Sequence, residues 1–437
     1  MEIEARHGAG RKKYVPIVNM SRLPGSGSFV SASVVVFAIV CSAAALFMEL
    51  WVIVPAPVYH LWLVAIVASE WSLHIGFAGL GSALLGAFSA RRGRNKMCGG
   101  LALWCGMLAC AISLYPLLSA WRVAAVHEVK ISIVRNLFAS ASPAPRVAQT
   151  FEFANVDGRA LQLDAYLPDA PPSSERQTQA ITDRPAVVVI HGGSWRSGER
   201  SDFPQWNAWL AARGYVVFDI DYRLAPQPNW QTATEDVKRA VVWVKQHAQQ
   251  FGIDPAAIAL LGRSAGGHLA LLAAYSAAAP EVNMNGKADA SVRAVVALYA
   301  PTDLRWGYEH PANQRVIDGP ETLRRFTGGT PDTIPEIYRQ ASPVSYAAPH
   351  LPPTLLIHGG RDQLVRDEHM SLLMRSLQSS HDNDTHAGGG SPHKAILLPY
   401  AQHGFDYNFN GWGAQVTQPV LLDFLATHLR EVLSGSR

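Results

Sequence analysis

The chain has 437 residues, 49% of them hydrophobic and only 16% charged, with a formal net charge of +3. That length accommodates two or three domains, or one large domain with appendages. So small a charge, with no basic stripe carrying interleaved aromatics, argues against nucleic acid as a partner.

The apolar excess sits at one end. Residues 1–28 form a basic tail with Arg6, Arg11, Lys12, Lys13 and Arg22. Three apolar segments follow within 29–121, at about 29–54, 58–90 and 99–121, and about 20 such residues suffice to cross a bilayer. A cleaved signal peptide would show one shorter apolar core and no further spans. Positive charge precedes the first segment and returns at Arg91, Arg92, Arg94 and Lys96, whereas Pro55-Ala-Pro57 carries none. By the positive-inside rule this predicts a cytoplasmic N-terminus, three crossings and an extracytoplasmic position for everything after Trp121. Arg122, Lys130 and Arg135, just beyond the third segment, run against that rule.

The second segment is longer than one crossing needs and contains Glu70 and His74, four residues apart on one helical face. They are either a functional ionisable pair in the bilayer or structural: an inter-helix contact, or a helix that breaks near Glu70 and lies partly at the interface. The structural set is favoured, because the catalytic candidates below do not need the pair. Gly79, Ala83 and Ala87, and likewise Ser82, Gly86 and Ala90, recur every four residues, and small residues at that spacing let helices pack closely. Cys41, Cys98, Cys105 and Cys110 all belong to this region. They lack metal-ligand spacing and read as small apolar residues.

Residues 122–149 read as an amphipathic interfacial helix, over 122–142, and a Pro/Ser/Ala linker around Ser140–Pro145. From 150 to 437 the pattern is that of a soluble domain. Phe151–Leu167 alternates around Asp157-Gly158, a hairpin signal. Apolar strands at 186–190, 215–218, 258–262, 292–298, 354–357 and 395–398 then alternate with helical stretches at 203–213 and 234–249 and a closing helix at 419–433. That rhythm predicts an α/β fold with a mostly parallel, doubly wound sheet. An insertion at about 305–349 is long enough to form a lid, and 378–394 reads as a disordered loop.

Chemistry-bearing motifs fall at the ends of those strands, where open α/β sheets place their sites. Gly262-Arg-Ser264-Ala-Gly266 joins a strand to a helix, the pattern of a nucleophile elbow. The helix starting behind Ser264 aims its N-terminal N–H groups at the reacting centre. His191-Gly-Gly-Ser-Trp195 can turn consecutive backbone N–H groups toward an oxyanion, with the N–H of Ala265 completing the hole. His358-Gly-Gly-Arg-Asp362 ends a strand with a carboxylate, and Ala401-Gln-His403 follows the next strand. The order Ser264, Asp362, His403 is that of a triad on this kind of sheet. Asp303 and Asp367 are the less well placed acids, with Asp367 the runner-up. His268, His191 and His358 read as packing or loop-holding residues. Trp195, Trp306, Tyr308 and Phe405 could line a substrate pocket, or equally the core.

With these motifs in order, together with Asp221-Tyr-Arg-Leu-Ala-Pro226, residues from about 150 to 437 resemble the α/β-hydrolase fold. Within it the stretch is similar to the esterase/lipase group related to hormone-sensitive lipase. Ser194-Trp195 replaces the third glycine of many members, a form shared by feruloyl-esterase-like enzymes, kynurenine formamidases and prenylcysteine methylesterases. The resemblance implies a serine carboxylic-ester hydrolase working through an acyl-enzyme. Ser264 would be the nucleophile, His403 the base, Asp362 its orienter, and Gly193, Ser194 and Ala265 the oxyanion donors. No metal or organic cofactor is needed. Expected partners are a small-molecule or lipid ester and the bilayer. Two alternatives stay open: an amide hydrolase (formamidase or exopeptidase) on the same triad, and a non-catalytic binding protein on a hydrolase scaffold.

Overall fold

Long apolar runs form long helices, and the breaks between them follow the local sequence. A computed structural model describes residues 26–91, 96–139, 147–168, 183–224, 227–278, 289–382 and 391–430. The basic tail up to 25, the loop at 92–95, the linker at 140–146 and residues 383–390 of the expected 378–394 loop lie outside these residues. Helix α1 (Ser26–Ile53) stops just before Pro55, as expected where proline disfavours helical geometry in the residue preceding it. Helices α2 (Tyr59–Glu70), α3 (Ser72–Arg91) and α4 (Lys96–Val126) follow. The segment expected as one span over 58–90 is thus two helices, broken at Trp71. Of these, α2 is too short to cross a bilayer, while α1, α3 and α4 are each long and apolar enough to do so.

The bundle of α1, α3 and α4 is packed through small residues. A Cβ on Gly79 would lie 2.8 Å from the Ala45 side chain, and one on Gly106 only 2.4 Å from the Gly79 carbonyl. The buried face of α3 runs through Gly76, Gly79, Ala83, Gly86 and Ala90. Phe37, Phe77, Phe88 and Trp104 point outward and are about half exposed or more. Small inside and large apolar outside inverts a soluble bundle and is the arrangement that suits helices in lipid.

The interfacial helix expected over 122–142 is not continuous. α4 runs on to Val126, and a separate short helix α5 (Ile133–Phe138) begins at Ser132, whose hydroxyl accepts from Arg135 N. The Gln415 side chain bonds both the N–H and the carbonyl of Ser132 and so ties this connection to the C-terminal helix.

The remaining elements are β1 (Gln149–Val156), β2 (Arg159–Tyr166), β3 (Arg184–Ile190), α6 (Pro204–Ala211), β4 (Val216–Ile220), α7 (Trp230–Gln246), α8 (Ala248–Phe251), β5 (Ile253–Arg263), α9 (Ala265–Ala278) and β6 (Ala294–Leu298). After them come α10 (Leu304–Glu309), α11 (Gly319–Thr327), α12 (Pro335–Gln340), a 3-10 turn (Pro343–Tyr346), β7 (Thr354–Gly359), α13 (Glu368–Asp382), β8 (Lys394–Leu398) and α14 (Trp412–Arg430). The sheet has eight strands in the order β1-β2-β4-β3-β5-β6-β7-β8. The β1–β2 hairpin is antiparallel and joins β4 in antiparallel sense, while β3 to β8 run parallel. Alternate residues of β3 serve opposite faces: Val188 and Ile190 join the core under α7 and α9, Val187 and Val189 the core under α14. Leu73, Ala120 and Ala124, from α3 and α4, belong to the second core. The bundle and the sheet domain therefore share one apolar interior.

Several boundaries differ from the sequence reading; among them, β5 starts at Ile253 and α7 at Trp230. α13 continues through 378–382, part of the expected loop. α14 begins at Trp412, so Pro419 sits inside it, where proline removes one helical hydrogen bond without ending the helix. The 305–349 insertion is built from α10, α11, α12 and the 3-10 turn.

Candidate active site

Three parallel strands deliver the three triad candidates. Ser264 follows β5 directly and has φ 53°, a strained left-handed value held by the turn into α9. Glycine is required on either side of it. A Cβ at Gly262 would lie 2.1 Å from the Gly266 carbonyl, and one at Gly266 2.2 Å from the carbonyls of Ile190 and His191. Asp362 follows β7, and His403 follows β8.

These side chains meet. His403 Nδ1 lies 2.6 Å from Asp362 Oδ2, and His403 Nε2 lies 2.8 Å from Ser264 Oγ. A carboxylate can only accept, so Nδ1 carries the proton and Nε2 is free to accept from the serine hydroxyl. The second oxygen of Asp362 accepts from the N–H groups of Leu364 and Val365, while His358 Nε2 lies 3.3 Å from Oδ2. Burial alone would raise the Asp362 carboxyl. Attraction to the His403 imidazole and hydrogen bonds from His358 and His403 outweigh it and hold the group below the ordinary carboxylate range.

The His191–Trp195 loop faces the same point. Gly193, Ser194 and Trp195 all have positive φ, at 107°, 53° and 59°, and the N–H groups of Arg196 and Ser197 bond back to Gly193 O. Among the described residues no backbone hydrogen bond engages the N–H of Gly193 or Ser194. Trp195 stacks on Phe326 at 4.0 Å and donates its indole N–H to His268 Nδ1 at 3.2 Å, which fixes the loop from behind. His268 is fully buried and its Nε2 donates to Ala341 O at 2.7 Å, so the ring is neutral, and burial lowers its pKa to about 4.

Two chambers open on Ser264. The larger, about 640 Å³, includes Gly193, Ser194 and His403 in its walls, and the smaller, about 70 Å³, includes Ser194, Trp195 and Ala265. Of the four aromatics expected at a substrate pocket, only Trp195 lines either chamber. Phe405 is wholly buried against Tyr299. Trp306 stacks on His310 and meets the His369 edge, and Tyr308 packs on Tyr338; both belong to the packing of the insertion. Asp303 caps α10 by accepting from Trp306 N, His191 stacks on Tyr222 at 4.3 Å, and His358 holds the Val365 carbonyl.

Sequence reasoning missed the support beneath the three triad candidates. Tyr299, after β6, donates to Asp406 Oδ1 at 2.6 Å and lays its ring 4.5 Å from the His403 imidazole. Asp406 in turn pairs with Arg263. It missed Tyr59 and Trp62 as well, which come from α2 yet line the larger chamber. The available signal was a pair of aromatics just after a proline-marked loop between two apolar segments.

Comparison with known proteins agrees with this architecture. The BD-FAE family matches residues 164–377. Esterase LipC of Mycobacterium tuberculosis is 35% identical over 237 residues, which is 53% of this chain and 55% of that protein. The probable carboxylic ester hydrolase LipM of the same organism is 31% identical over 231 residues, 51% of this chain and 49% of that protein. The chain thus spans about half the length of the curated relatives it matches. Among solved structures, Thermogutta terrifontis esterase 2 phosphonylated by sarin superposes with a TM-score of 0.50 at 24% identity, over 66% of this chain and 98% of that one. The sheet order and the strand-end site give the domain following the apolar helices an α/β-hydrolase fold, and its sequence is similar to that of esterases.

Proposed function

We propose that the chain is a membrane-anchored serine carboxylic-ester hydrolase using Ser264, His403 and Asp362. One observation carries the reading: the His403 imidazole bridges the other two, at 2.8 Å to the Ser264 oxygen and 2.6 Å to the Asp362 carboxylate. Neutral His403 accepts the hydroxyl proton as Ser264 Oγ bonds to the ester carbonyl carbon. The N–H groups of Gly193, Ser194 and Ala265 receive the oxyanion, each such donor contributing on the order of 100- to 1000-fold in rate. The tetrahedral intermediate collapses, His403 protonates the departing alcohol, and a water deprotonated by the same imidazole then releases the acid. Ester cleavage is favoured over amide cleavage by the named esterase relatives.

Anchoring rests on α1, α3 and α4, whose outward side chains are apolar. The charge pattern around them supports a cytoplasmic N-terminus and an extracytoplasmic hydrolase domain. Replacing Ser264 by Ala abolishes p-nitrophenyl ester hydrolysis and leaves the fold intact; unchanged turnover overturns the mechanism. A reporter fused after α4 is active only on the extracytoplasmic side, and cytoplasmic activity there reverses the orientation.

A further inference from the structure

The membrane part contributes more than an anchor. Tyr59 and Trp62, in the first turn of α2, stand in the wall of the larger chamber together with Ser264 and His403. Trp62 is buried against Val316 beside Leu364, and both of these also line the chamber. The placement is fixed by polar contacts between the α1–α2 connection and the hydrolase domain. Arg361 donates to Ile53 O at 2.7 Å, the Gln363 side chain accepts from Ala56 N at 2.8 Å, and Asn313 donates to Ala56 O at 2.6 Å. On its other side α2 exposes Tyr59, Leu63 and Val67, with Val58 exposed just before it. Tyr59, Leu63 and Val67 form a stripe at i, i+4, i+8, and α2 is joined by short connections to α1 and α3, both long enough to cross a bilayer. A short helix so tethered, with an apolar outer stripe and aromatics at its start, lies in the membrane interface. Tyr59 therefore touches both the chamber and the lipid side.

The chemistry decides which part of an ester meets α2. The departing alcohol oxygen must come within reach of His403 Nε2 to be protonated. His403 lines the 640 Å³ chamber and is absent from the walls of the 70 Å³ one. The alcohol portion then occupies the large chamber and the acyl portion the small one.

The geometry points to a bilayer-resident ester of a short acid and a long, apolar alcohol, with Tyr59 and Trp62 as the alcohol-binding residues. This rests on the esterase reading above. The alcohol's hydrocarbon tail passes along α2 into the lipid, and the freed alcohol leaves by the same route.

The test uses the full chain in phosphatidylcholine vesicles with two substrate series, read by titrating the released acid. One holds the acid at acetate and lengthens the alcohol from hexyl to hexadecyl; the other holds the alcohol at methyl and lengthens the acid likewise. kcat/KM rises along the first series and falls along the second. Tyr59→Ala and Trp62→Ala each reduce the preference for hexadecyl over hexyl acetate about tenfold, chiefly through KM, and Trp62→Phe restores most of it. Tyr59 is half exposed, so its variant carries the test if Trp62→Ala does not fold. A preference for long acids, or a long-alcohol preference indifferent to Tyr59→Ala, overturns this inference and leaves the esterase reading standing. Hydrolysis of neither series removes both.

Discussion

Arg263 and Asp406 form a buried ion pair, Nε to Oδ2 at 2.5 Å, one residue before Ser264 and three after His403. Arg263 also lies over the Phe203 ring at 4.1 Å, and Asp406 accepts the Tyr299 hydroxyl that backs the His403 ring. The pair thus ties the elbow after β5 to the loop after β8. Removing one partner leaves an uncompensated charge in an apolar interior, a loss of about 3–5 kcal/mol. Arg263→Met and Asp406→Leu are each expected to be strongly destabilised in denaturant titrations, with the double variant recovering a large part of the loss. Additive losses in the double variant contradict the pairing.

Asp362 gives a second expectation, in rate and in pH. Asn at this position keeps the shape but favours the wrong imidazole tautomer, which in the serine proteases lowers kcat by about 10⁴-fold. A drop of similar order is expected in stopped-flow ester hydrolysis. The folded-state carboxyl lies below its unfolded value, so its contribution to stability is complete above the ordinary carboxylate range, near pH 4, and is lost as pH falls below it. Stability of Asp362→Asn, followed by urea unfolding, is expected to fall less steeply in that acid range than that of the unsubstituted protein.

Much of this architecture was legible in the chain because strand ends carry their own punctuation. Gly262 and Gly266 mark the elbow, and the expected hairpin turn at Asp157-Gly158 is observed with φ 54° and 76°. What local sequence did not reveal depends on distant partners. Nothing near Arg263 announces Asp406, and nothing near Tyr59 announces Val316 across the domain junction. Phe405, one residue from Gly404 and two from His403, is buried in the core against Tyr299 and away from both chambers. The break at Trp71 matches the alternative of a helix interrupted near Glu70, but its partners were not legible: the helix ends where Glu70 meets Tyr400 and Gly413 of the hydrolase domain.

His268 makes the His191–Trp195 loop acid-sensitive. Its Nδ1 accepts from Trp195 and its Nε2 donates to Ala341, so a second proton would turn Nδ1 into a donor facing another donor. Burial lowers the folded-state pKa to about 4, against about 6.5 for a free imidazole. The unfolded ring gains a proton first as pH drops, and stability declines between those values by up to about 1.4 kcal/mol per pH unit. His268→Gln keeps one acceptor and one donor without titrating. Its stability measured from pH 7 to 4 is expected to decline less steeply than the parent's, and parallel curves contradict the assignment.

The junction at Glu70 holds the hydrolase domain to the bundle. Glu70 Oε1 accepts from the Tyr400 hydroxyl at 3.2 Å and Oε2 from Gly413 N at 3.2 Å. Its carbonyl accepts from Asn136 and Asn408, while Trp412 donates to Ser72 on the first turn of α3. His74 does not bond Glu70; its Nε2 faces Leu137 O at 3.1 Å. Gly411 is the tightest point, since a Cβ there would sit 2.2 Å from Glu70 Oε2 and 3.0 Å from Asn408 backbone and side-chain atoms. Gly411→Ala must push the carboxylate from its donors, and Glu70→Ala leaves Tyr400 and Gly413 without an acceptor. Each unsatisfied buried group costs about 1–3 kcal/mol. Both variants are expected to raise hydrogen exchange at the start of α14 and along α5 while exchange in β3, β5 and β6 stays as in the parent. Uniform protection across α5 and α14 in Glu70→Ala would show that apolar contacts alone seat the domain.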